Sequence, residues 1–325
     1  MTERVVLLAG GVGGSRLAVP LAHALGPDDR LTVIANVGDD FEHFGLRICP
    51  DLDTLTYQLA GVGDPVQGWG IRNDTWTTME QLERLGGPTW FRLGDRDLAT
   101  HLYRTERLAA GATLDQVALE IGGALGLDPR VQVVPATCDQ VRTFVHTEGA
   151  GRLGFQTYLV RRRAQDRVVG FAYAGAETAA ASPAALAAVR TASRIVFAPS
   201  NPYVSIRPIL AVPALAAAIR ASPAPKLAVS PIIAGRAVKG PLAQMLLSLA
   251  GEASVRAWLA ALNVALDAAW VDVADRGEED AIKALVPHVV WMPLRLDGAA
   301  ADAVARSLLA FGATRAGCRE RPPAI

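Results

Sequence analysis

Short runs of apolar residues recur along the chain, separated by stretches whose apolar positions fall at helical spacing. Val5-Val-Leu-Leu8 opens the series, Ser15 to Leu25 follows with a helical pattern, and Leu31 to Ala35 is a second run. Strand, helix, strand is the reading. Comparable runs stand at Val131–Pro135, Ile195–Ala198, Leu227–Ser230, Trp270–Val273 and Val289–Met292, most of them separated by helical stretches. Strands buried on both faces read as near-continuous apolar runs rather than as alternating ones. The pattern therefore predicts an α/β fold, a Rossmann-like, doubly wound and mostly parallel sheet with helices on both faces.

Between about Asp51 and Asp128 the pattern changes to helices alone. Thr113-Leu-Asp-Gln116 has the spacing of a capping box ahead of Val117, Leu119 and Ile121. This segment is expected to form a helical insertion over the carboxyl edge of the sheet. Phe155–Arg161 and Arg167–Tyr173 carry β-type residues around a polar turn and predict a hairpin beside the sheet. Pro20 predicts a slight kink in the first helix. The expected organisation is a single domain over 1–313, with a core from 1–50 and 129–313, the insertion over 51–128, and a flexible tail over 314–325.

Composition narrows the function more than the fold. Of 325 residues about half are apolar, enough for a large core, and 32 basic side chains balance 32 acidic ones. With no net charge there is no general attraction for nucleic acid or anionic lipid, which favours a nucleotide over a polymer as ligand. Cys49, Cys138 and Cys318 are odd in number and far apart, which argues against a disulfide framework and for a reducing compartment. No cysteine or histidine spacing suggests zinc. The start runs directly into the first strand without a leader pattern, and no run approaches the roughly 20 apolar residues of a membrane span. A soluble, cytoplasmic protein is expected.

The candidate chemistry begins at the first strand-to-helix turn, Gly10-Gly-Val-Gly-Gly14. Glycines there let the backbone pass close to a phosphate, and the following helix points its free N–H groups and positive dipole end at the anion. A tight turn without a ligand explains the same residues. As a dinucleotide fingerprint the turn fails, because Arg16 stands where the third glycine belongs and Asn36 where a ribose-binding acid is expected. An NAD-dependent oxidoreductase is disfavoured on that ground.

Asp51-Leu-Asp-Thr54 lies at a predicted helix start. Capping and dipole compensation by Asp51 and Asp53 is one reading. Asn36, Asp39 and Asp40 follow the second strand, however, so several acids converge on the mouth reached by the glycine turn. Acids beside an anion site repel it unless a cation intervenes. Mg²⁺, which takes one or two carboxylates plus phosphate oxygens, is the expected cofactor, held by Asp51 and Asp53. In Gly94-Asp-Arg-Asp97, Arg96 offers a forked contact to phosphate, or a surface salt bridge with a neighbouring aspartate. Ser200, Asn201 and Ser205, at the end of a buried strand, are candidate phosphate or base contacts and also ordinary turn residues. Lys239 could neutralise phosphate or be merely solvated. Trp69, Trp76 and Trp90 suit either stacking on a planar ring or core packing.

Taken together, Leu8-Ala-Gly-Gly-Val-Gly-Gly14, Pro50-Asp-Leu-Asp-Thr54, Trp69-Gly-Ile-Arg-Asn-Asp-Thr75, Leu93-Gly-Asp-Arg-Asp-Leu-Ala-Thr-His101, Pro199-Ser-Asn-Pro-Tyr-Val-Ser-Ile206, Val229-Ser-Pro-Ile-Ile233 and Val238-Lys-Gly-Pro241 resemble the 2-phospho-L-lactate transferase family. The segments occur in family order from about residue 5 to residue 311. That resemblance implies a Rossmann-like core, a homodimer, Mg²⁺, a donor in which a three-carbon acid is linked to guanosine diphosphate, and a deazaflavin acceptor. It implies transfer of a phospholactyl or phosphoenolpyruvyl group to a ribityl hydroxyl with release of guanosine monophosphate, a step in making the deazaflavin coenzyme F-420. By position it places Asp53 and Arg96 near the acceptor, and Gly10, Gly11, Gly13, Gly14, Ser200 and Asn201 near the donor nucleotide. Two departures stand out: Trp291-Met-Pro-Leu294 replaces a Thr-Asp-Thr-x-Met segment of archaeal-type members, and Ser15-Arg16 stands where others carry a lysine. A regulator of the same superfamily that binds nucleotide sugars without turnover is the alternative, and it would not need the Gly94–Asp97 segment.

Overall fold

The computed structural model describes residues 2–237 and 240–312. Seven strands form the main sheet: β1 (Arg4–Ala9), β2 (Arg30–Ala35), β3 (Val131–Pro135), β4 (Arg194–Phe197), β5 (Lys226–Val229), β6 (Ala268–Val271) and β7 (His288–Trp291). All neighbours are parallel, in the order β7-β6-β5-β4-β1-β2-β3. Every apolar run read as a strand is one, because strands covered on both faces favour apolar residues at successive positions; Val5 to Ala9 are all buried to 1% or less.

The chain leaves β1 toward β2 and β3, then returns to place β4 on the other side of β1. The strand order therefore reverses between β1 and β4, and the crevice beyond their carboxyl ends is where open α/β sheets bind ligands. Helix α1 (Val12–Ala24) follows β1 and buries Leu17 and Leu21, one turn apart, against the sheet. Each contributes about 1.5–3 kcal/mol by leaving water. α1 also packs on α2 (Pro50–Leu59) and on the helix Gly298–Ala310.

The segment after α2 carries α3 (Thr77–Arg84), α4 (Asp95–Ala109) and α5 (Leu114–Ala124). The capping box at Thr113 is present in both directions: Gln116 N donates to Thr113 Oγ1 at 3.3 Å, and Thr113 N to Gln116 Oε1 at 2.9 Å. Ile48, Met79 and Leu93 form a second small core with Phe41, Trp76 and Phe91, separate from that of the sheet.

Two expectations are corrected. Phe155–Arg161 is not a hairpin strand; Phe155 leads into a wide helical turn, Thr157–Arg161, and both Phe155 and Tyr158, three positions apart, are buried. The strand Val168–Ala174 does form, but it pairs with Arg142–Thr147, whose inner positions Thr143, Val145 and Thr147 alternate with outer ones. Before α2, a short hairpin joins Phe41–His43 to Leu46–Ile48, with Phe44 and Gly45 both at positive φ in its turn. The expected tail over 314–325 lies outside the described residues. Among the described residues no single helix is long and apolar enough to cross a membrane.

Candidate active site

A cavity of about 650 Å³ opens at the reversal point of the sheet. Its floor is the glycine turn after β1 and the Pro199–Ser205 segment after β4, and its far wall carries Tyr57, Trp69, Trp90 and Phe91. The glycines make this packing possible. A Cβ on Gly10 would lie 2.6 Å from Ser205 Cβ, one on Gly11 2.7 Å from Asp51 Oδ1, and one on Gly13 2.8 Å from the Pro199 carbonyl oxygen. Gly14 is buried and instead lets α1 close onto β1, since its Cβ would meet that of Ala9 at 2.6 Å. The first hydrogen bond of α1 runs from Ser15 N to Gly11 O at 2.9 Å. The amides of Val12, Gly13 and Gly14 thus lack intrahelical partners at the cavity end of the helix.

Asp51 is not the cap of α2; Cys49 holds that position and Pro50 begins the helix. Its carboxylate accepts from Asn36 Nδ2 at 2.8 Å and from the Gly11 amide. Asn36, fully buried, also donates to Val204 O at 3.0 Å and accepts from Gly38 N at 2.8 Å, so its amide is spent on positioning. Asn36 lies behind the lining rather than in it. Beside Asp51 stands Asp39, buried, with Oδ1 lacking any hydrogen-bond donor. Burial pushes the Asp39 carboxyl well above the ordinary aspartate value, and repulsion from Asp51 adds to this. Burial likewise raises Asp51 to about 6, against the opposing hydrogen bonds from Asn36 and Gly11. Two acceptor groups therefore face one space where a cation would relieve both.

Asp53 lies roughly 200° around the helix from Asp51 and has other partners. Arg104, buried on α4, clamps it with both terminal nitrogens, one to Oδ1 and the other to Oδ2 at 3.1 Å. His101 Nδ1 is 3.6 Å from Asp53 Oδ2 and 3.2 Å from Arg104 Nη1, while its Nε2 is 3.4 Å from Asp97 Oδ1. Tyr57 OH donates to the same Asp97 oxygen at 2.8 Å. One ligand atom each from Asp53, Asp97 and His101 would fit within 4.8 Å of the others, a spacing a metal could use. The guanidinium already supplies positive charge there. Asp40 turns aside to Arg47 at 3.0 Å. The acids do not converge as one group, and the structure does not bring Asp51 and Asp53 onto one ion; the partner of Asp51 is Asp39.

Ser200, Asn201 and Ser205 all line the cavity, with Gly10, Gly11 and Gly13. Ser200 Oγ accepts from Gly10 N at 3.3 Å, tying the loop after β4 to the glycine turn, while Asn201 Oδ1 accepts from Tyr203 N at 3.0 Å within that loop. Arg96 is exposed and lies outside the lining; its amide donates to Asp74 Oδ1 at 2.8 Å and its guanidinium to Arg72 O at 3.3 Å. Lys239 falls outside the described residues. Trp76 packs under Arg92, 4.3 Å from its ring centre, whereas Trp69 and Trp90 reach the cavity. Sequence reasoning passed over Tyr57, Asp97, His101, Arg104 and, as a lining residue, Arg16. Asp97 and His101 had a readable signal in their i, i+4 spacing on a predicted helix.

Comparison with known proteins bears on this geometry. A family model described as 2-phospho-L-lactate transferase CofD matches residues 5–285. A phosphoenolpyruvate transferase of Kitasatospora aureofaciens is 41% identical over 316 residues, covering 95% of this chain and 97% of that protein. Phosphoenolpyruvate transferases of Mycobacterium bovis and Mycobacterium ulcerans are 43% and 44% identical over 78% and 76% of this chain, and 81% and 79% of their own. Two crystal structures of a Bacillus halodurans protein of the UPF0052 family share the fold, with TM-scores of 0.63 and 0.64 at 17% and 18% identity, covering 95% of this chain and 99% and 100% of theirs. A family match over most of the chain and relatives above 40% identity lead to one conclusion: the chain belongs to the CofD family.

Proposed function

We propose that the protein is a transferase that moves a phosphoenolpyruvyl or 2-phospho-L-lactyl group from a guanosine-diphosphate-linked donor to the ribityl hydroxyl of a deazaflavin, releasing guanosine monophosphate. One observation carries the reading: a single cavity joins the free amides of α1 and the Asp39–Asp51 pair at one end to Trp69, Trp90 and Phe91 at the other. The amide end suits a diphosphate and the aromatic end a planar ring. Of the two donors, the names of the relatives at 41–44% identity favour the enolpyruvyl one.

Mg²⁺ fits this site through Asp39 and Asp51, since the orphaned Asp39 Oδ1 and the neighbouring carboxylate are the hard oxygen ligands it takes. Bound there, it would neutralise phosphate charge. The chain's own groups do the rest. The amides of Val12, Gly13 and Gly14 hold the phosphates at the helix end, and Arg16, at the cavity mouth, adds positive charge. Asn36 fixes the Asp51 carboxylate. The insertion adds Trp69, Trp90 and Phe91 to the cavity wall, apolar surface that would limit the water competing with the acceptor hydroxyl. Catalysis is then mostly positioning and charge neutralisation, as phosphoryl transfer requires.

The test is to incubate the protein with deazaflavin, Mg²⁺ and each guanylylated donor and weigh the product. A deazaflavin adduct carrying phosphoenolpyruvate is the expected result. An adduct formed only from the lactyl donor would reassign the donor, and absence of any adduct with either donor would overturn the reading.

A further inference from the structure

We propose that Asp97 accepts the proton of the acceptor hydroxyl during transfer, and that Tyr57 and His101 are positioning residues that hold its carboxylate for that role. This rests on the function proposed above.

Asp53 has both oxygens on Arg104, and Asp51 is held by Asn36 and Gly11. Asp39 also lines the cavity with an unpartnered Oδ1, but it stands beside Asp51 at the phosphate end. Asp97 differs. Its Oδ1 receives Tyr57 OH and faces His101 Nε2, while its Oδ2 has no hydrogen bond among the described residues, and the residue lines the cavity. Its backbone is fixed too, because Asp97 N donates to Asp74 Oδ2 at 3.1 Å in the first turn of α4. Tyr57 starts six positions beyond Asp51 on α2, about 9 Å of helix rise. The open oxygen thus faces the stretch between the phosphate end and the aromatic end, where the acceptor's ribityl chain would run.

His101 is not itself the base. A guanidinium has no lone pair, so Arg104 Nη1 donates to His101 Nδ1, and Nε2 is left on the Asp97 side, 3.4 Å from Oδ1. Burial works against a charged Asp97, but the contacts with His101 and Tyr57 outweigh it and hold the carboxyl below the usual aspartate range. A weak base is sufficient in phosphoryl transfer, where the hydroxyl proton leaves late. In the step, the alcohol O–H bond breaks and its proton passes to Asp97 Oδ2. The alcohol oxygen bonds to the phosphorus bearing the three-carbon acid. The bridging P–O bond breaks, and guanosine monophosphate leaves with the electron pair.

The experiment compares the full-length wild type with Asp97→Asn, Asp97→Glu and Tyr57→Phe, reading turnover by product mass, deazaflavin affinity by its fluorescence without donor or metal, and melting temperature. Asp97→Asn is expected to lose about a hundredfold or more in kcat, with deazaflavin affinity within about threefold of wild type and melting unchanged. Asp97→Glu should recover part of the loss, and Tyr57→Phe should lower kcat less than Asp97→Asn does. Turnover of Asp97→Asn near the wild-type rate overturns the proposal, as does a loss of deazaflavin binding that accounts for the lost activity. A wild-type protein that binds deazaflavin but forms no product with either donor would instead overturn the proposed function, and this inference with it.

Discussion

Asp51 and Asp53 share one turn of α2 yet belong to different electrostatic systems: Asn36 holds Asp51 against the glycine turn at 2.8 Å, while Arg104 clamps Asp53 from α4. A two-residue step on a helix faces its side chains apart. The consequence is a division of labour along α2, with a carboxylate that has no cationic side chain beside it at the phosphate end and a neutralised one beneath the insertion.

Arg104 is 1% exposed and is the charged partner of Asp53. Arg104→Met leaves that carboxylate buried without its cation, and such an uncompensated charge costs about 3–5 kcal/mol. Urea unfolding of the variant is expected to show a loss of that size. The double variant with Asp53→Asn should recover much of it, because no buried charge is then left unpaired. A single variant as stable as wild type would mean that the pair contributes little.

Asn36→Leu removes the donors that hold Asp51 and the Val204 carbonyl, and the acceptor of Gly38 N. Groups left buried without partners cost about 1–3 kcal/mol. Beyond this loss of stability, Mg²⁺ affinity measured by calorimetry should fall, since Asp51 is no longer fixed beside Asp39. Unchanged Mg²⁺ binding would separate Asn36 from the metal.

The architecture was legible because the central strands of the main sheet are covered on both faces, so Val5–Leu8 and its counterparts show as apolar runs, while the edge strands Val131–Pro135 and His288–Trp291 keep enough apolar residues to be read with them. Thr113–Gln116 was legible for a local reason, a three-residue spacing that satisfies two helix-end groups at once. Phe155 and Tyr158 misled, since aromatic residues suit strands by propensity and only their three-residue spacing betrays a helical turn. In the site, the glycine turn, Asp51 and the Pro199–Asn201 loop were readable because they follow strand ends. Arg104 was not: a buried arginine on an amphipathic helix looks like any solvated one until the long-range partner Asp53 is placed. Arg96, four residues after Arg92 and eight before Arg104, drew attention from its motif but lies outside the cavity lining.

The acid pair makes stability depend on pH in a definite direction. Asp51 titrates at about 6 in the folded chain against 3.8 for an ordinary aspartate, so the folded state binds more protons between those values. Stability contributed by the protonated form is complete below about pH 4 and is lost as pH rises through 6. His43, lowered by burial, works in the opposite direction, so comparison with Asp51→Asn is needed to isolate the effect. In metal-free protein, urea unfolding from pH 4.5 to 7.5 should show wild type losing stability relative to that variant. Millimolar Mg²⁺ at pH 7.5 should restore stability to wild type and not to Asp51→Asn. Parallel curves for the two proteins, with or without the ion, would remove the carboxylate pair from metal binding.

Gly13 faces the Pro199 carbonyl, and a methyl group there would lie 2.8 Å from an oxygen that belongs to the backbone and cannot rotate away. Gly13→Ala must therefore push the turn after β1 from the loop after β4. Overpacking of this kind costs about 1–3 kcal/mol, and here it also moves the amides of α1 from the place where a diphosphate would bind. Guanosine diphosphate affinity, measured by calorimetry in the presence of Mg²⁺, is expected to drop about tenfold or more, in line with 1.4 kcal/mol per factor of ten. Gly123→Ala, on α5 where nothing lies within 4 Å of the added carbon, is the control and should leave nucleotide binding unchanged. If both variants bind guanosine diphosphate as wild type does, the nucleotide does not sit on the glycine turn, and the diphosphate end of the cavity must be sought elsewhere along its wall.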